Sequence, residues 1–470
     1  MKHPVRSSLI SKVMTALLLT LLAITVVTAV SVFPSEITAY DVFQDDQGAV
    51  IALGNEVVYI NGSMLLVIKL KDSNVKVFSA VLSSGGSEIF IAGSYRRHPS
   101  IGIIKLSKDV KITTYILNSI NGSLFKLRII NGQIYCAGYV FDGQVYRSLI
   151  AVLSESGLTG SESVIYCKVL VISCESSCYI RDIAKLSEGD VVALGAYYST
   201  TFYPKYQLML LILDKGLSTC RGFILESENS LMPKNIFVVG ENRIFCMAVS
   251  ESTVSYAELS SLKIKEGESV KVNLLSLKGG LFSIVAVRSN NTIYALVRTS
   301  GSQYLLKISP GSSVIELTET ENNPIAVLSG SNEPVLLTST LRSHKVESIT
   351  GITRITTPTD IEYSKLREVQ VKVKIGKQVF ELVENSEAIV SAFSVAPTTQ
   401  SNKEKQSELA TSLTAAAHVS REEVSAYTKT EEFRKDVETA ASSNYYVLIL
   451  SLTLISAYIL LRTRLNKART

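Results

Sequence analysis

The stretch Gly-Gln-Ile-Tyr-Cys-Ala-Gly-Tyr-Val-Phe-Asp-Gly-Gln-Val-Tyr-Arg-Ser-Leu-Ile-Ala-Val-Leu-Ser-Glu-Ser-Gly, residues 132–157, decides the fold. It holds two short apolar runs separated by a polar loop, and the pair Asn131-Gly132 precedes the first run. Short apolar runs bounded by Gly, Asn and Asp are typical of β-strands, and Asn-Gly is a turn that joins antiparallel strands. The stretch therefore predicts two neighbouring strands of an antiparallel sheet.

The first of these runs recurs along the chain. Start-to-start steps range from 39 residues (50 to 89) to 57 residues (134 to 191), which is enough for four short strands and their turns. A pair containing Gly or Asn, suited to positive φ, precedes each copy. The aligned copies are residues 50–54, 89–93, 134–138, 191–195, 244–248, 293–297 and 335–339.

Seven such units predict an all-β fold. Four-stranded units that cannot bury both faces alone stack radially, so we expect a seven-bladed β-propeller over residues 37–360. The pattern in residues 132–157 resembles the Gly-Asn-Ile-Tyr-x-x-Gly β-propeller repeat of many prokaryotic surface proteins, and the resemblance extends over residues 37–356 of the 470-residue chain. It implies a fold and no particular function. A pair of β-sandwiches is the competing arrangement.

The chain changes character after the repeats. Alternation in Val-Gln-Val-Lys-Val-Lys-Ile, residues 369–375, predicts a β-hairpin extension over 361–395. Residues 396–443 are rich in Ala, Ser, Thr, Glu and Lys, and capping boxes pair Ser401 with Glu404 and Ser420 with Glu423. This composition predicts a polar stalk that is helical in part.

Two apolar runs predict export and anchoring. Residues 445–461 carry no charge and precede a basic tail, so we expect a transmembrane helix over 444–462 and a cytoplasmic tail over 463–470. Residues 1–33 contain the run 13–33, which is either a cleaved signal peptide or a second, N-terminal membrane anchor. Basic residues precede the first run and follow the second. The positive-inside rule keeps these basic segments in the cytoplasm, so it places the chain between the two runs outside the cytoplasm.

Composition limits the classes of partner that the chain is expected to bind. The net charge of +5 is too small to imply nucleic acid, and no motif implies a cofactor or a metal. The expected partners are the membrane itself, as an integral protein, and a protein or glycan at the cell surface. The candidate glycosylation sequons begin at Asn61, Asn121 and Asn290.

A candidate recognition face lies in the loops that follow the second strands of blades two to four. These loops are rich in Tyr and Arg, which are enriched at binding hot spots. The alternative is that the tyrosines simply pack on hairpins in a chain with no tryptophan. The candidate binding residues are Tyr95, Arg96, Arg97, Tyr139, Tyr146, Arg147, Tyr197, Tyr198, Tyr203 and Tyr206.

The cysteines predict disulfides, because the main domain is expected outside the cell. The candidates are Cys167, Cys174, Cys178 and Cys220, whose connectivity the sequence leaves open. The sequence carries no nucleophile elbow, phosphate loop or zinc-binding His pair. Asp41, with Asp45 and Asp46, lacks calcium-loop spacing and favours a solvated turn.

The sequence therefore predicts a non-enzymatic, membrane-anchored binding or envelope-scaffold module outside the cytoplasm. The alternative function is an extracytoplasmic hydrolase with its site at the mouth of the propeller channel.

Overall fold

The computed structural model describes residues 39–394 except 63, 108–109, 160–162, 188, 200–204, 241–242, 251–252, 261–268, 322, 331–332, 341–342, 348 and 350. These residues form an all-β fold with one short helix, α1 (Glu155–Thr159). Within them, no helix is long and apolar enough to cross a bilayer. The predicted segments 1–33, 396–443, 444–462 and 463–470 lie outside the described residues.

The strands follow one another as antiparallel meanders in which each strand pairs with the next. Apolar runs of five to ten residues separated by turn residues account for this pattern, because both faces of most strands are buried. Meander one contains β1 (Asp41–Asp45), β2 (Gly48–Ala52), β3 (Glu56–Asn61) and β4 (Met64–Leu70). Meander two contains β5 (Val75–Leu82), β6 (Glu88–Tyr95), β7 (His98–Lys105) and β8 (Lys111–Ile116). Meander three contains β9 (Asn121–Ile130), β10 (Gln133–Phe141), β11 (Tyr146–Ser154) and β12 (Val164–Ser173).

The remaining meanders repeat the order, and the seventh has three strands among the described residues. Meander four contains β13 (Cys178–Lys185), β14 (Val191–Ser199), β15 (Lys205–Leu213) and β16 (Cys220–Glu226). Meander five contains β17 (Met232–Val239), β18 (Arg243–Val249), β19 (Thr253–Ser260) and β20 (Ser269–Ser276). Meander six contains β21 (Leu281–Ser289), β22 (Thr292–Thr299), β23 (Gln303–Ile308) and β24 (Ile315–Thr320), and meander seven β25 (Pro324–Leu328), β26 (Val335–Thr340) and β27 (Ser343–Glu347).

Each predicted second strand overlaps the second strand of one meander. Turn residues predicted to need positive φ have it at Gly86, Asn131, Gly132, Gly189 and Asn290. The all-β prediction is confirmed, and local turn chemistry explains why.

The C-terminal part of the described chain forms an outer layer that we name the belt: β28 (Gly351–Thr356), β29 (Asp360–Val369) and β30 (Lys372–Ser394). Each belt strand pairs antiparallel with the last strand of one or more earlier meanders. β28 pairs with β24, β29 with β20 and β16, and the 23-residue β30 with β12, β8 and β4. The belt joins meanders one to three into a 13-stranded sheet and meanders four and five into a nine-stranded sheet.

The belt corrects the prediction of a β-hairpin over 361–395. β29 and β30 pair with the meanders and not with each other. The alternating sequence correctly indicates half-buried strands, but periodicity says nothing about the partner. The last strand of each meander presents an unpaired edge, and the belt covers six of these edges.

The first strands share an irregularity that shapes the site. In the pairing of the first strand with the second, one residue of the first strand has no partner, near the end of the second strand. This residue is Phe125 in β9, Arg181 in β13 and Lys234 in β17. Such β-bulges redirect side chains. The glycine that ends the predicted repeat allows the close approach, because a Cβ at Gly195 would lie 2.2 Å from the Tyr179 carbonyl oxygen.

Candidate functional site

A cavity of about 560 Å³ lies where β13 and β17 begin. Its wall comes from meanders three, four and five and is dominated by aromatic rings. The described lining residues include two cationic side chains and no carboxylate. The lining residues are Phe125, Tyr139, Tyr146, Ser177, Tyr179, Arg181, Ala196, Tyr198, Tyr206, Met232, Pro233 and Lys234.

The aromatic wall is continuous. Phe125 lies 5.4 Å from Tyr139 and 6.0 Å from Tyr179, measured between ring centroids. Tyr206 lies 5.3 Å from Tyr198 and 6.5 Å from Tyr179. Edge-to-face and tilted pairs at these distances stabilise each other. The rings therefore hold one another in place along the wall.

Hydrogen bonds fix the strand ends that carry Tyr146, Tyr198 and Tyr206. Ser177 joins two of them, because its hydroxyl accepts from the Tyr146 amide at 3.2 Å and its carbonyl accepts from the Tyr198 amide at 2.9 Å. Ser230 Oγ accepts from the Tyr206 amide at 3.1 Å. Glu362 of the belt accepts from the Ser227 hydroxyl and the Glu228 amide, both at 2.9 Å, in the loop before β17. The belt thus supports one side of the cavity.

The positive charges of the cavity have no acidic counterpart among the described residues that line it. The Arg181 guanidinium lies over the Phe125 ring, 5.0 Å from its centroid. Lys234 is half-buried and makes no hydrogen bond or ion pair within the described part of the chain. Burial lowers the pKa of Lys234 to about 8, and the neighbouring charge of Arg181 adds to the effect. The cavity therefore favours a ligand that brings negative charge.

The structure brings together four of the ten predicted binding residues: Tyr139, Tyr146, Tyr198 and Tyr206 all line the cavity. Arg147 lies beside them, where its Nη2 contacts Asp142 Oδ2 at 2.6 Å. Hydrogen bonds from the Val145 and Gln144 amides, with Arg147, hold the pKa of Asp142 below its usual range.

The other predicted residues do not join this group. Tyr197 is buried in the core on the other face of β14, and Tyr95 is buried in meander two. Arg96 stacks on Tyr95 at 5.4 Å from its ring centroid, and the Arg97 carbonyl accepts from the Gly122 amide. Tyr203 lies outside the described residues.

Sequence reasoning missed the deeper wall of the cavity. Phe125, Arg181 and Lys234 occupy the same bulge position in three successive first strands, and Tyr179 lies two residues before Arg181. Aligning the first strands as well as the second would have placed these side chains together. The predicted face spans meanders two to four, whereas the cavity spans three to five.

A buried ionic network connects the first strands of meanders one to four. Lys126 Nζ lies 3.6 Å from Asp182 Oδ1, and Arg128 contacts Asp41 Oδ2 at 3.5 Å. The Ser79 hydroxyl donates to Asp41 Oδ2 at 2.5 Å. The expectation of a solvated turn is wrong for Asp41, which is 3 % exposed, because these partners from β5 and β9 surround its carboxylate.

The cysteines are free thiols in the structure. Cys174, Cys178 and Cys220 pack in one apolar cluster, whereas Cys167 lies in another cluster and donates to the Gln378 carbonyl at 3.5 Å. A disulfide within the first group stays a prediction, as does glycosylation. The sequon residues Asn61, Asn121 and Asn290 are exposed. In the described ranges no three His, Cys, Asp or Glu side chains group as metal ligands would.

No protein-family model and no curated protein matches the chain. Among solved structures it is similar to PorZ, a surface component of the type-IX secretion system of Porphyromonas gingivalis, at 12 % identity and a TM-score of 0.30. That match covers 68 % of this chain and 45 % of PorZ, so the chain spans less than half of PorZ. The extracellular domain of BT4673 from B. thetaiotaomicron is similar at 9 % identity and a TM-score of 0.16, over 74 % of this chain and 81 % of that one.

Proposed function

We propose that the protein is a membrane-anchored binding module whose seven meanders are the blades of a β-propeller outside the cytoplasm. The observation that carries the binding role is the aromatic cavity with two cations and no acid. Concave, mostly apolar sites with a few convergent polar groups are where small ligands bind.

Contacts between first strands support the ring. β1 contacts β5, and the series continues through β9, β13, β17, β21 and β25, which contacts β1 again. The Ala39 amide also donates to the Ile325 carbonyl at 3.2 Å, next to this last contact. Radial stacking of this kind leaves only short, protected edges.

The two apolar runs support the orientation. Residues 13–33 and 445–461 are each long enough to span a bilayer, and the basic residues lie beyond them toward the two ends of the chain. A membrane-impermeant amine reagent on whole cells should label the exposed Lys374 but label Lys467 of the tail only after permeabilisation. The reverse pattern would contradict this orientation.

Paired variants test the binding role. A ligand identified by screening surface glycans and peptides against the full chain should bind Tyr198→Ala/Tyr206→Ala at least about 30-fold more weakly, because hot-spot aromatics contribute about 2 kcal/mol or more. Tyr166→Ala is the matched control, since Tyr166 is 72 % exposed and lies outside the cavity. Equal binding by the double variant would exclude the cavity as the site.

A further inference from the structure

We propose that the cavity binds an acidic saccharide, with a sugar carboxylate between Arg181 and Lys234 and a sugar ring against Tyr198 and Tyr206. This inference rests on the proposed function and names its ligand class. It follows from charge, ring geometry and hydrogen-bonding chemistry at the same site.

The charge of the lining favours an anionic ligand. Arg181 and Lys234 are the charged residues of the lining, and both are cationic. The Arg181 guanidinium lies over the Phe125 ring, 5.0 Å from its centroid, and a guanidinium can bind a carboxylate through two parallel N–H groups. Burial and Arg181 keep the pKa of Lys234 low in the free protein. A bound carboxylate would offset both effects and favour the charged ammonium.

The aromatic wall matches cyclic sugars. Each pyranose has an apolar C–H face that packs on an aromatic ring, and its hydroxyls lie at the rim of that face. Tyrosine rings offer the complementary arrangement, a rigid apolar body with a hydroxyl tip. Five tyrosines line the one cavity: Tyr139, Tyr146, Tyr179, Tyr198 and Tyr206. At about 560 Å³ the cavity has the size of a small-ligand site.

Hydrogen-bonding chemistry favours a saccharide over a peptide carboxyl terminus. Among the described lining residues there is no Asp, Glu, Asn or Gln, so the backbone N–H groups of a peptide would find only Tyr and Ser hydroxyls as side-chain acceptors. Sugar hydroxyls both donate and accept, so they pair with tyrosine hydroxyls in either direction. A nucleic-acid strand is disfavoured because phosphate binding needs many cations, and the cavity supplies two.

Calorimetric titration of the full chain in detergent tests the inference. The probes are trimers of galacturonate and glucuronate, their uncharged methyl esters, neutral galactose and glucose trimers, and a tripeptide with a free carboxylate. We expect at least one acidic trimer to bind at least tenfold more tightly than its ester and its neutral counterpart. Lys234→Met should lower the affinity for the acidic trimer at least tenfold and leave the affinity for the ester unchanged. Lys76→Met is the control, because Lys76 is exposed on another first strand.

The outcomes separate the two proposals. Equal affinity for acid and ester, or binding by the tripeptide alone, would overturn the ligand class and leave a binding cavity. Failure of every acidic trimer to bind would also overturn the ligand class. Acid binding that Tyr198→Ala/Tyr206→Ala leaves unchanged would overturn both proposals, because the ligand would then bind elsewhere.

Discussion

The ammonium of Lys126 lies 2.5 Å from Asp41 Oδ1, and both side chains are almost completely buried. Asp41 belongs to β1 and Lys126 to β9, so the pair connects the first strands of meanders one and three. Lys126→Met would leave Asp41 and Asp182 with Arg128 as their remaining cation. We expect a loss of about 3–5 kcal/mol in the free energy of unfolding, measured with urea. Lys76→Met should change it by less than about 0.5 kcal/mol. A loss under about 1 kcal/mol for Lys126→Met would contradict the network's role.

The same network predicts acid sensitivity. Burial alone would raise the pKa of Asp41, but the charges of Lys126 and Arg128 outweigh burial and hold it below its usual range. A carboxyl with a lowered folded-state pKa stabilises the protein above its unfolded pKa, and this stability is lost as pH falls through the folded value. The free energy of unfolding should therefore fall below about pH 4. Asp41→Asn should show a shallower fall, and an unchanged slope would count against the assignment.

The bulge beside Gly195 predicts intolerance of any side chain there. A Cβ would meet the Tyr179 carbonyl oxygen at 2.2 Å, so Gly195→Ala must push β13 away from β14. We expect a loss of about 1–3 kcal/mol in stability, the usual cost of overpacking. At Gly376 of the belt an added Cβ meets nothing within 4 Å, so Gly376→Ala is the matched control. If Gly195→Ala and Gly376→Ala changed the free energy of unfolding equally, the close approach of Gly195 to the Tyr179 carbonyl would be absent.

The belt should contribute to stability through buried side chains. Phe380 of β30 is fully buried in the core of meanders two and three, and Phe380→Ala should cost about 3–5 kcal/mol. Ile375 on the same strand is 45 % exposed, so Ile375→Ala should cost far less. If the two variants unfolded at the same urea concentration, the belt would not be packed as described.

Affinity for an anionic ligand should depend on pH through Lys234. Its free-state pKa of about 8 means that the ammonium is largely charged at pH 7 and largely neutral at pH 9. Binding of the acidic trimer should therefore weaken as pH rises through about 8, since the anion favours the protonated form. Calorimetry at pH 7, 8 and 9 measures this, and Lys234→Met should abolish the dependence. If the affinity of the wild type did not change between pH 7 and pH 9, the role of Lys234 in binding the anion would be contradicted.

Local sequence predicted strands and turns well, because short apolar runs and pairs such as Asn131-Gly132 constrain the backbone directly. It failed where the partner is distant in sequence. The alternation in residues 369–375 indicates strand, yet it runs across the junction between β29 and β30. Nothing local shows that β30 pairs with β12, about 200 residues earlier. Asp41 appeared to be a surface residue for the same reason, since its partners Ser79 and Lys126 come from other meanders.

The site was predictable in part. The sequence predicted loops for Tyr139, Tyr146, Tyr198 and Tyr206, and the structure places them near the ends of β10, β11, β14 and β15. These ends are equivalent in two meanders, so grouping the four required only the repeat. Lys234 and Arg181 come from first strands, where a cation looks like an ordinary solvent-facing residue. Their convergence depends on the bulges. Gly195 marks the bulge at Arg181, whereas the bulge at Lys234 lies opposite Ala248 and has no glycine to mark it.

Fluorescence of Tyr198→Trp tests the central claim, that a ligand binds in the aromatic cavity. The chain has no tryptophan, so one introduced indole reports from one place. Titration with the acidic trimer should shift the emission of Tyr198→Trp and saturate at the concentration found by calorimetry, while Tyr166→Trp should stay unchanged. Saturable binding with no change at position 198, or an equal change at position 166, would contradict the account.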